Sequence, residues 1–129
     1  MVTDPISDFI IRLQNASRAK KETVSLPFSQ MKLAIAEVLE RAGYIAEIDK
    51  KSKPGAPLSV TLSYKDGQPT ISGVKRLSKP SRRTYLGVRD VRPVKRGHGL
   101  LVLSTPAGVM SGKEAREKKV GGEALFEIW

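Results

Sequence analysis

The stretch that decides the fold of the C-terminal half is Leu100-Leu-Val-Leu-Ser104-Thr105-Pro106-Ala107-Gly108-Val-Met-Ser111-Gly-Lys-Glu114-Ala-Arg116. It begins with four apolar residues, which predict a short buried strand over Leu100–Ser104. The next residues predict a loop, because Pro106 favours an extended Thr105 and Gly108 permits a left-handed bend. A strand followed directly by a hydroxyl-bearing loop is therefore expected here.

The end of the same stretch predicts a helix. Ser111, with Glu114 three residues later, is the sequence pattern of a capping box, so we expect a short helix to about Lys119. Gly121-Gly122 ends it, and alternation over residues 123–129 predicts a final strand. Together with a strand over residues 82–87 that places Tyr85 and Leu86 on opposite faces, this half is predicted to be mainly antiparallel strand with one helix.

The N-terminal half predicts an α-β-α-β-β-β unit. Asp4 or Thr3 is placed to cap the first helix, and Pro5 suits its first position. Asp66-Gly67 predicts a turn that pairs residues 58–64 with residues 70–77 as a hairpin. The first predicted helix has an apolar face of Ile6, Phe9, Ile10 and Leu13, and a strand over residues 23–26 follows it. A second predicted helix is capped by Ser29 and stops at Gly43, with an apolar face of Met31, Ile35, Val38, Leu39 and Ala42. A strand over residues 44–48 comes next.

The fold class predicted from this order is α+β, in two small domains. A chain of 129 residues holds one domain or two very small ones. Ser78-Lys-Pro-Ser81 is small and polar and contains a proline, which is typical of a linker. We therefore expect an N-terminal α+β domain over residues 1–77 and a C-terminal, mainly antiparallel β domain over residues 78–129.

The net charge of +10, from 23 Lys and Arg against 13 Asp and Glu, points to a polyanionic partner. With no cysteine and one histidine, disulfide scaffolds, thiol catalysis and Cys/His metal clusters are excluded. The N-terminal residues lack the pattern of a signal peptide, and no run approaches the ~20 apolar residues of a membrane span. We expect an intracellular protein without a membrane partner.

Almost all of the excess charge lies in residues 75–98, which hold nine Lys or Arg and only Asp90 as an acid. Such a stretch is either a solvated loop or an ordered surface that follows phosphates. Interleaved Leu77, Tyr85, Leu86, Val88, Val91 and Val94 favour the ordered alternative. Prolines and glycines exclude the amphipathic basic helix that membranes prefer, so nucleic acid is the favoured ligand. Tyr85 either stacks on a base or belongs to the core.

Short hydroxyl side chains in the loop after residue 103 allow two interpretations. Ser104, Thr105 and Ser111 could point outward, as suits the wide minor groove of A-form RNA with its displayed 2′-hydroxyls. The same residues could instead form an ordinary turn, with Ser111 serving only as a helix cap. The residues alone favour the ordinary turn.

No group of residues predicts a reaction. His98 has no orienting acid nearby and is better explained by a turn or a phosphate contact. Gly108–Lys113 fails as a phosphate-binding loop, since it has one residue too few and Glu114 where a hydroxyl must reach magnesium. We expect no catalytic residues, no metal and no cofactor.

The run from Gly97 to Arg116, followed by Val120-Gly-Gly-Glu123, resembles the C-terminal signature of small-subunit ribosomal protein number eight in its bacterial form. The resemblance extends over the chain, through Thr3-Asp4-Pro5-Ile6 with Asn15-Ala16, residues 29–36 and residues 82–85. It implies a two-domain α+β protein of the small ribosomal subunit in the cytoplasm. Its implied partners are the central domain of small-subunit rRNA, neighbouring small-subunit proteins and, in some relatives, the mRNA of its own operon.

The resemblance also implies which residues meet RNA. In the C-terminal domain these are Ser104, Thr105, Pro106, Gly108 and Ser111, with Gly121, Gly122, Glu123 and Tyr85 beside them and the Arg82/Arg83 pair nearby. In the N-terminal domain they are Asp4, Pro5, Asn15, Ser29 and Lys32. Departures from the family pattern at Gln14, Gln30, Pro106 and Ala107 predict fewer basic or hydroxyl contacts. A free translational repressor and an enzyme acting on a polyanion are the alternatives.

Overall fold

The computed structural model describes residues 4–92, 94 and 98–129, which form two compact units. One unit comprises residues 6–72, and the other comprises residues 73–129 together with the chain around Asp4 and Pro5. We call them the N-terminal unit and the C-terminal unit. Thr3, one predicted cap, and Pro93, Lys95, Arg96 and Gly97 of the basic stretch lie outside the described residues.

The N-terminal unit combines two helices with a three-stranded antiparallel sheet. Its elements are α1 (Pro5–Arg18), β1 (Thr23–Leu26), α2 (Gln30–Arg41), β2 (Ile45–Ile48), β3 (Leu58–Leu62), β4 (Tyr64–Lys65) and β5 (Gln68–Pro69). The sheet order is β1-β3-β2, and β4 pairs with β5 around a turn in which Asp66 and Gly67 both have positive φ. Buried Phe9, Leu13, Ile35 and Leu39 face inward from the two helices.

The C-terminal unit is a five-stranded antiparallel sheet with one short helix. Its elements are β6 (Val74–Arg76), β7 (Tyr85–Leu86), a 3-10 turn (Val88–Asp90), β8 (Leu100–Thr105), β9 (Gly108–Ser111), α3 (Gly112–Glu117) and β10 (Gly122–Ile128). Strand β10 is central, since it pairs with β8 along one edge and with β6 and β7 along the other. The core under α3 contains Val91, Val94, Leu101, Leu103, Met110, Ala115 and Ala124.

The α+β class, the strand at residues 23–26, the Ser29 cap and the Ser111–Glu114 capping box are confirmed. The prediction of a hairpin between residues 58–64 and 70–77 is wrong. Val74–Arg76 pairs with β10, and Tyr64–Lys65 pairs with Gln68–Pro69 instead. The compact units accordingly divide after Ser72, five residues before the predicted boundary.

Four smaller corrections concern burial and strand limits. Met31 and Ala42 are exposed, and Lys32 and Ala36 take the inner face of α2. The predicted strand over residues 82–87 shrinks to Tyr85–Leu86. A register shift in β10 between Ala124 and Phe126 replaces the predicted alternation with three consecutive buried residues. Residues 108–111, predicted as loop, form β9.

Candidate nucleic-acid interface

Four side chains form a row across one end of the C-terminal sheet, where β10 begins and β8 ends. Glu123 of β10 lies opposite Tyr85 of β7 on one side and opposite Ser104 of β8 on the other, and Ser104 lies opposite Val109 of β9. Directly opposed residues in antiparallel strands project from the same face. We call Tyr85, Glu123, Ser104 and Val109 the outer row.

The outer row lies on the side of the sheet away from the core. The neighbouring positions, Leu103, Met110 and Ala124, project the other way into the core beneath α3. Tyr85 is 70% exposed, and the other three members are half-buried. Tyr85 is therefore not a core residue, which leaves its ring free to stack, as one of the two sequence interpretations proposed.

Glu123 is the polar centre of the row. Its Oε2 accepts hydrogen bonds from the Ser78 hydroxyl and, at 2.9 Å, from Nη1 of Arg83. Burial by itself would raise the pKa of Glu123, but the hydrogen bonds from Ser78 and Arg83 and the charges of Arg83 and Arg76 outweigh it and lower the pKa. The pKa of Arg83 is raised, chiefly by the same hydrogen bond. Glu123 is thus held as a carboxylate.

Residues 78–84 are fastened to β10 rather than forming a free linker. Ser78 is fully buried, and its hydroxyl accepts from the Thr84 N–H at 3.0 Å while donating to Glu123. The backbones of Lys79 and Arg82 exchange two hydrogen bonds of 3.0 Å and close a tight turn. The linker prediction is therefore corrected: this segment presents Arg82 and Arg83 at a defined place beside the outer row.

The chain between β8 and β9 forms a hairpin whose exposed tip is Pro106, Ala107 and Gly108. Thr105 is only 9% exposed, and its hydroxyl donates to the Gly108 carbonyl at 2.8 Å and accepts from the Ala107 N–H at 3.1 Å. Gly108 has φ +116, a conformation that L side chains rarely adopt. The hydroxyl of Thr105 shapes the tip rather than pointing outward.

Ser111 also has an internal role. It is 6% exposed, its hydroxyl accepts from the Glu114 N–H at 3.2 Å, and the Glu114 carboxylate accepts from the Ser111 N–H at 3.2 Å. Of the two interpretations drawn from the sequence, the ordinary turn that the residues favour is confirmed for Thr105 and Ser111, because each hydroxyl satisfies a backbone group of its own turn. Of the three hydroxyl-bearing residues, only Ser104 belongs to the outer row.

Gly121 and Gly122 are required by close packing of backbones. A Cβ atom at Gly121 would lie 2.3 Å from the Leu86 carbonyl oxygen, and one at Gly122 would lie 2.2 Å from the Ser104 carbonyl oxygen. No side chain fits at either position without separating the strands. These glycines therefore set the spacing of β7, β8 and β10, and with it the spacing of the outer row.

The N-terminal residues expected to meet RNA are held largely by internal contacts. Asp4 accepts from Arg76 in a two-point ion pair, Nε to Oδ2 at 3.0 Å and Nη2 to Oδ1 at 3.3 Å. Lys32 is 7% exposed and its Nζ donates to the Pro27 carbonyl at 3.1 Å, while its N–H donates to the Ser29 hydroxyl at 3.1 Å. The ammonium of Lys32, a residue that the resemblance assigns to RNA contact, is thus bonded to a backbone carbonyl, and the side chain is buried.

Pro5 and Asn15 are exposed on α1. Asn15 lines a groove between α1 and β1, with Arg12, Lys21, Thr23 and Ser25 among its other walls. Asn15, Ser29 and Lys32 belong to the N-terminal unit, and the outer row belongs to the C-terminal unit. Within the C-terminal unit, the structure brings Tyr85, Arg83, Ser104, Gly122 and Glu123 together into one site.

Two members of the site were missed from the sequence. Ser78 carries no signal beyond its place before a proline-containing turn, and Val109 was assigned to a loop. His98 lies in an exposed turn, as expected. Within residues 4–92, 94 and 98–129, no three His, Cys, Asp or Glu side chains are grouped as metal ligands. No helix in the same ranges is long and apolar enough to cross a membrane.

Comparison with known proteins adds a family. The model of the family "Ribosomal protein S8" matches residues 4–129. A "Small ribosomal subunit protein uS8" from Nitratidesulfovibrio vulgaris is 46% identical over 129 residues, covering 100% of both chains. A protein with the same name from Roseiflexus castenholzii is 47% identical over 130 residues, covering 99% of this chain and 98% of its own. One from Caulobacter vibrioides is 42% identical over a similar span.

Proposed function

The chain belongs to the ribosomal protein S8 family, and we propose that this constituent of the small ribosomal subunit binds the central domain of small-subunit rRNA and helps to assemble the subunit. The N-terminal unit, through Pro5 and Asn15 of α1, and neighbouring small-subunit proteins supply further contacts. The observation that carries the proposal is the outer row, in which an exposed aromatic ring, a carboxylate and a small hydroxyl share one sheet face beside two arginines.

The chemistry of the outer row suits RNA bases and sugars better than phosphates. A carboxylate only accepts hydrogen bonds, so Glu123 repels phosphate and favours 2′-hydroxyls and exocyclic amino groups. Only its Oε2 is used internally; among the described residues, Oε1 has no hydrogen-bond partner. Ser104 adds a short side chain that fits a shallow groove, and Tyr85 adds a ring that can stack on a base or sugar.

Charge and selection are divided between different residues in this proposal. Arg82 is exposed beside the outer row and supplies attraction to phosphates. Arg83 is partly neutralised by Glu123, so it orients the carboxylate as well as adding charge. The hairpin tip at Pro106–Gly108 contributes backbone and shape, because its one hydroxyl, on Thr105, is internally bonded.

The test is footprinting of the pure protein on small-subunit rRNA, with binding of a central-domain fragment and of an equally long fragment from another domain measured in parallel. We expect one central-domain helix to be protected, and Glu123→Gln to reduce binding of that fragment about tenfold, as for a lost hydrogen bond to a charged group of roughly 1.5 kcal/mol. Glu127→Gln, which changes another half-buried carboxylate of β10, is the control.

Protection of no central-domain helix, or equal losses on both fragments, would contradict the proposal. Repression of the protein's own operon mRNA is the alternative function, and it requires the same face. Co-sedimentation with small subunits separates the two, since a free repressor stays in the ribosome-free fraction.

A further inference from the structure

A second group of cations surrounds a cavity of the C-terminal unit, away from the outer row. The cavity has a volume of about 250 Å³ and is lined by Arg92, Lys113 and Arg116, with Gly99, Leu101 and Gly112 among its other walls. Lys113 and Arg116 are three residues apart on α3, a spacing that places both on one helix face. We call this site the basic cavity.

Packing of the core brings Arg92 to α3 across twenty residues of sequence. Val91 and Val94, on either side of Arg92, are buried in the core that includes Ala115 of α3. A Cβ atom at Gly112 would lie 3.1 Å from Cγ1 of Val91, so the start of α3 sits directly against this segment. Exposed Arg92 is therefore held at the cavity by the buried residues around it.

Among the described residues, no acidic side chain balances the charge of the basic cavity. Arg76 and Arg83 each pair with a carboxylate, at 3.0 and 2.9 Å. By contrast, in the part of the chain that the structure describes, Arg92, Lys113 and Arg116 form no ion pair, and no acidic residue lines the cavity. Three like charges around one small cavity repel each other until an anion enters, so the site favours a compact anionic group.

The basic cavity and the outer row lie on opposite sides of the sheet. α3 packs over the face formed by Leu101, Leu103 and Met110, whereas Ser104 and Glu123 project from the other face. They also lie at opposite ends of β8, since the cavity adjoins Leu100 and the row contains Ser104, roughly 13 Å further along at ~3.3 Å per residue. An RNA helix resting on the outer row does not cover the cavity.

We propose that the basic cavity is a second RNA site, which takes the phosphodiester backbone of a segment separate from the one bound at the outer row. The inference rests on the proposed function, because it assumes that the outer row binds rRNA. Together, Arg92, Lys113 and Arg116 match a ligand that carries one negative charge per nucleotide. The C-terminal unit then holds two parts of the rRNA against its two faces.

The test compares three proteins on full-length small-subunit rRNA by hydroxyl-radical footprinting and by binding at 50 to 300 mM salt. The cavity variant is Arg92→Gln, Lys113→Gln, Arg116→Gln. The charge-matched control is Lys75→Gln, Lys118→Gln, Lys119→Gln, three exposed cations of the same unit that do not line the cavity. Thermal unfolding of all three confirms that each is folded.

We expect the wild type to protect two separate segments and the cavity variant to lose one of them while keeping the segment that Glu123→Gln weakens. The slope of log K against log salt should fall by about 1 to 2 for the cavity variant and by under about half a unit for the control. Both segments persisting with an unchanged slope overturns the inference and leaves the proposed function intact.

Three further outcomes are decisive. If the wild type protects one segment, and both the cavity variant and Glu123→Gln lose it, the protein has a single RNA site and the inference is overturned. Unchanged rRNA binding, with loss of a neighbouring small-subunit protein during reconstitution, means that the basic cavity takes an acidic protein segment and also overturns it. No protection of rRNA by the wild type is instead the failure of the proposed function.

Discussion

Replacing Gly122 with alanine tests whether the spacing of the outer row depends on contact between two backbones. The new Cβ would lie 2.2 Å from the Ser104 carbonyl oxygen, 2.9 Å from the Ser104 carbonyl carbon and 3.0 Å from Cα of Thr105. To bring the shortest of these distances to 3.0 Å, β8 and β10 must separate by roughly 0.8 Å. Ladder hydrogen bonds near 2.9 Å would then stretch beyond 3.5 Å and be lost.

The expected cost of Gly122→Ala follows from these movements. A lost backbone hydrogen bond costs about 1 kcal/mol and a forced steric shift about 1–3 kcal/mol, so we expect a loss of about 2–3 kcal/mol in the free energy of unfolding. With an unfolding entropy of ~2.1 cal/mol/K per residue over 129 residues, 2 kcal/mol lowers Tm by about 7 °C. Calorimetry measures the shift, and the central-domain fragment should bind more weakly.

Gly87→Ala is the matched control for this substitution. Gly87 lies in the same unit, has φ −75, and its added Cβ would meet only Oδ2 of Asp90 at 3.4 Å, an ordinary contact. We expect its Tm to stay within about 2 °C of the wild type. The reasoning is refuted if Gly122→Ala is as stable as Gly87→Ala, because the strands would then tolerate a side chain between them.

Four further substitutions test other contacts. Because the pKa of Glu123 is lowered in the folded state, its ionised form stabilises the fold at pH values above the ordinary pKa of 4.5. This contribution is lost as the pH falls through the pKa of the folded state. The free energy of unfolding, measured with urea between pH 6 and 3, should therefore depend less on pH for Glu123→Gln than for the wild type. Lys32→Ala should cost about 1–3 kcal/mol in unfolding by urea, since the Pro27 carbonyl loses its donor, and should leave the salt slope of RNA binding unchanged. Arg82→Ala should reduce the slope of log K against log salt for RNA binding by about 0.9, as measured by filter binding. In the same assay, Ser104→Ala should reduce only the preference for the cognate fragment. A changed salt slope for Ser104→Ala would show that the role of this residue is not in discrimination.

Local signals predicted the elements whose stabilising contacts are close in sequence. Ser29 caps α2 through the amide three residues later, and Ser111 and Glu114 bond each other across the same interval. The β1 strand shows the alternate burial expected of its sequence. In each case the deciding interaction lies within one turn or one strand, so the residue pattern contains it.

Longer-range features could not be predicted in this way. Val74 pairs with Ile128, 54 residues later, and no local pattern distinguishes that partner from the nearer strand. The outer row likewise depends on the registers of β7, β8 and β10, and the resemblance alone grouped Tyr85 with Glu123 before the structure aligned them. The direction of the Thr105 hydroxyl also could not be predicted, because it is determined by the hydrogen bond to the Gly108 carbonyl, which forms only in the closed hairpin.

The central position of β10 has a consequence for the order in which the protein matures during synthesis. Residues 6–72 contain all the strands that they pair with, so the N-terminal unit has its sheet partners as soon as those residues emerge. Strands β6, β7 and β8 must wait for residues 122–128 to be made. At about 5–20 residues per second, the intervening 56 residues take roughly 3 to 11 s. The edge of β6 stays open to other strands over most of that interval, and the edge of β8 does so only once residue 105 has been made. A chaperone or an early rRNA contact has its greatest effect there.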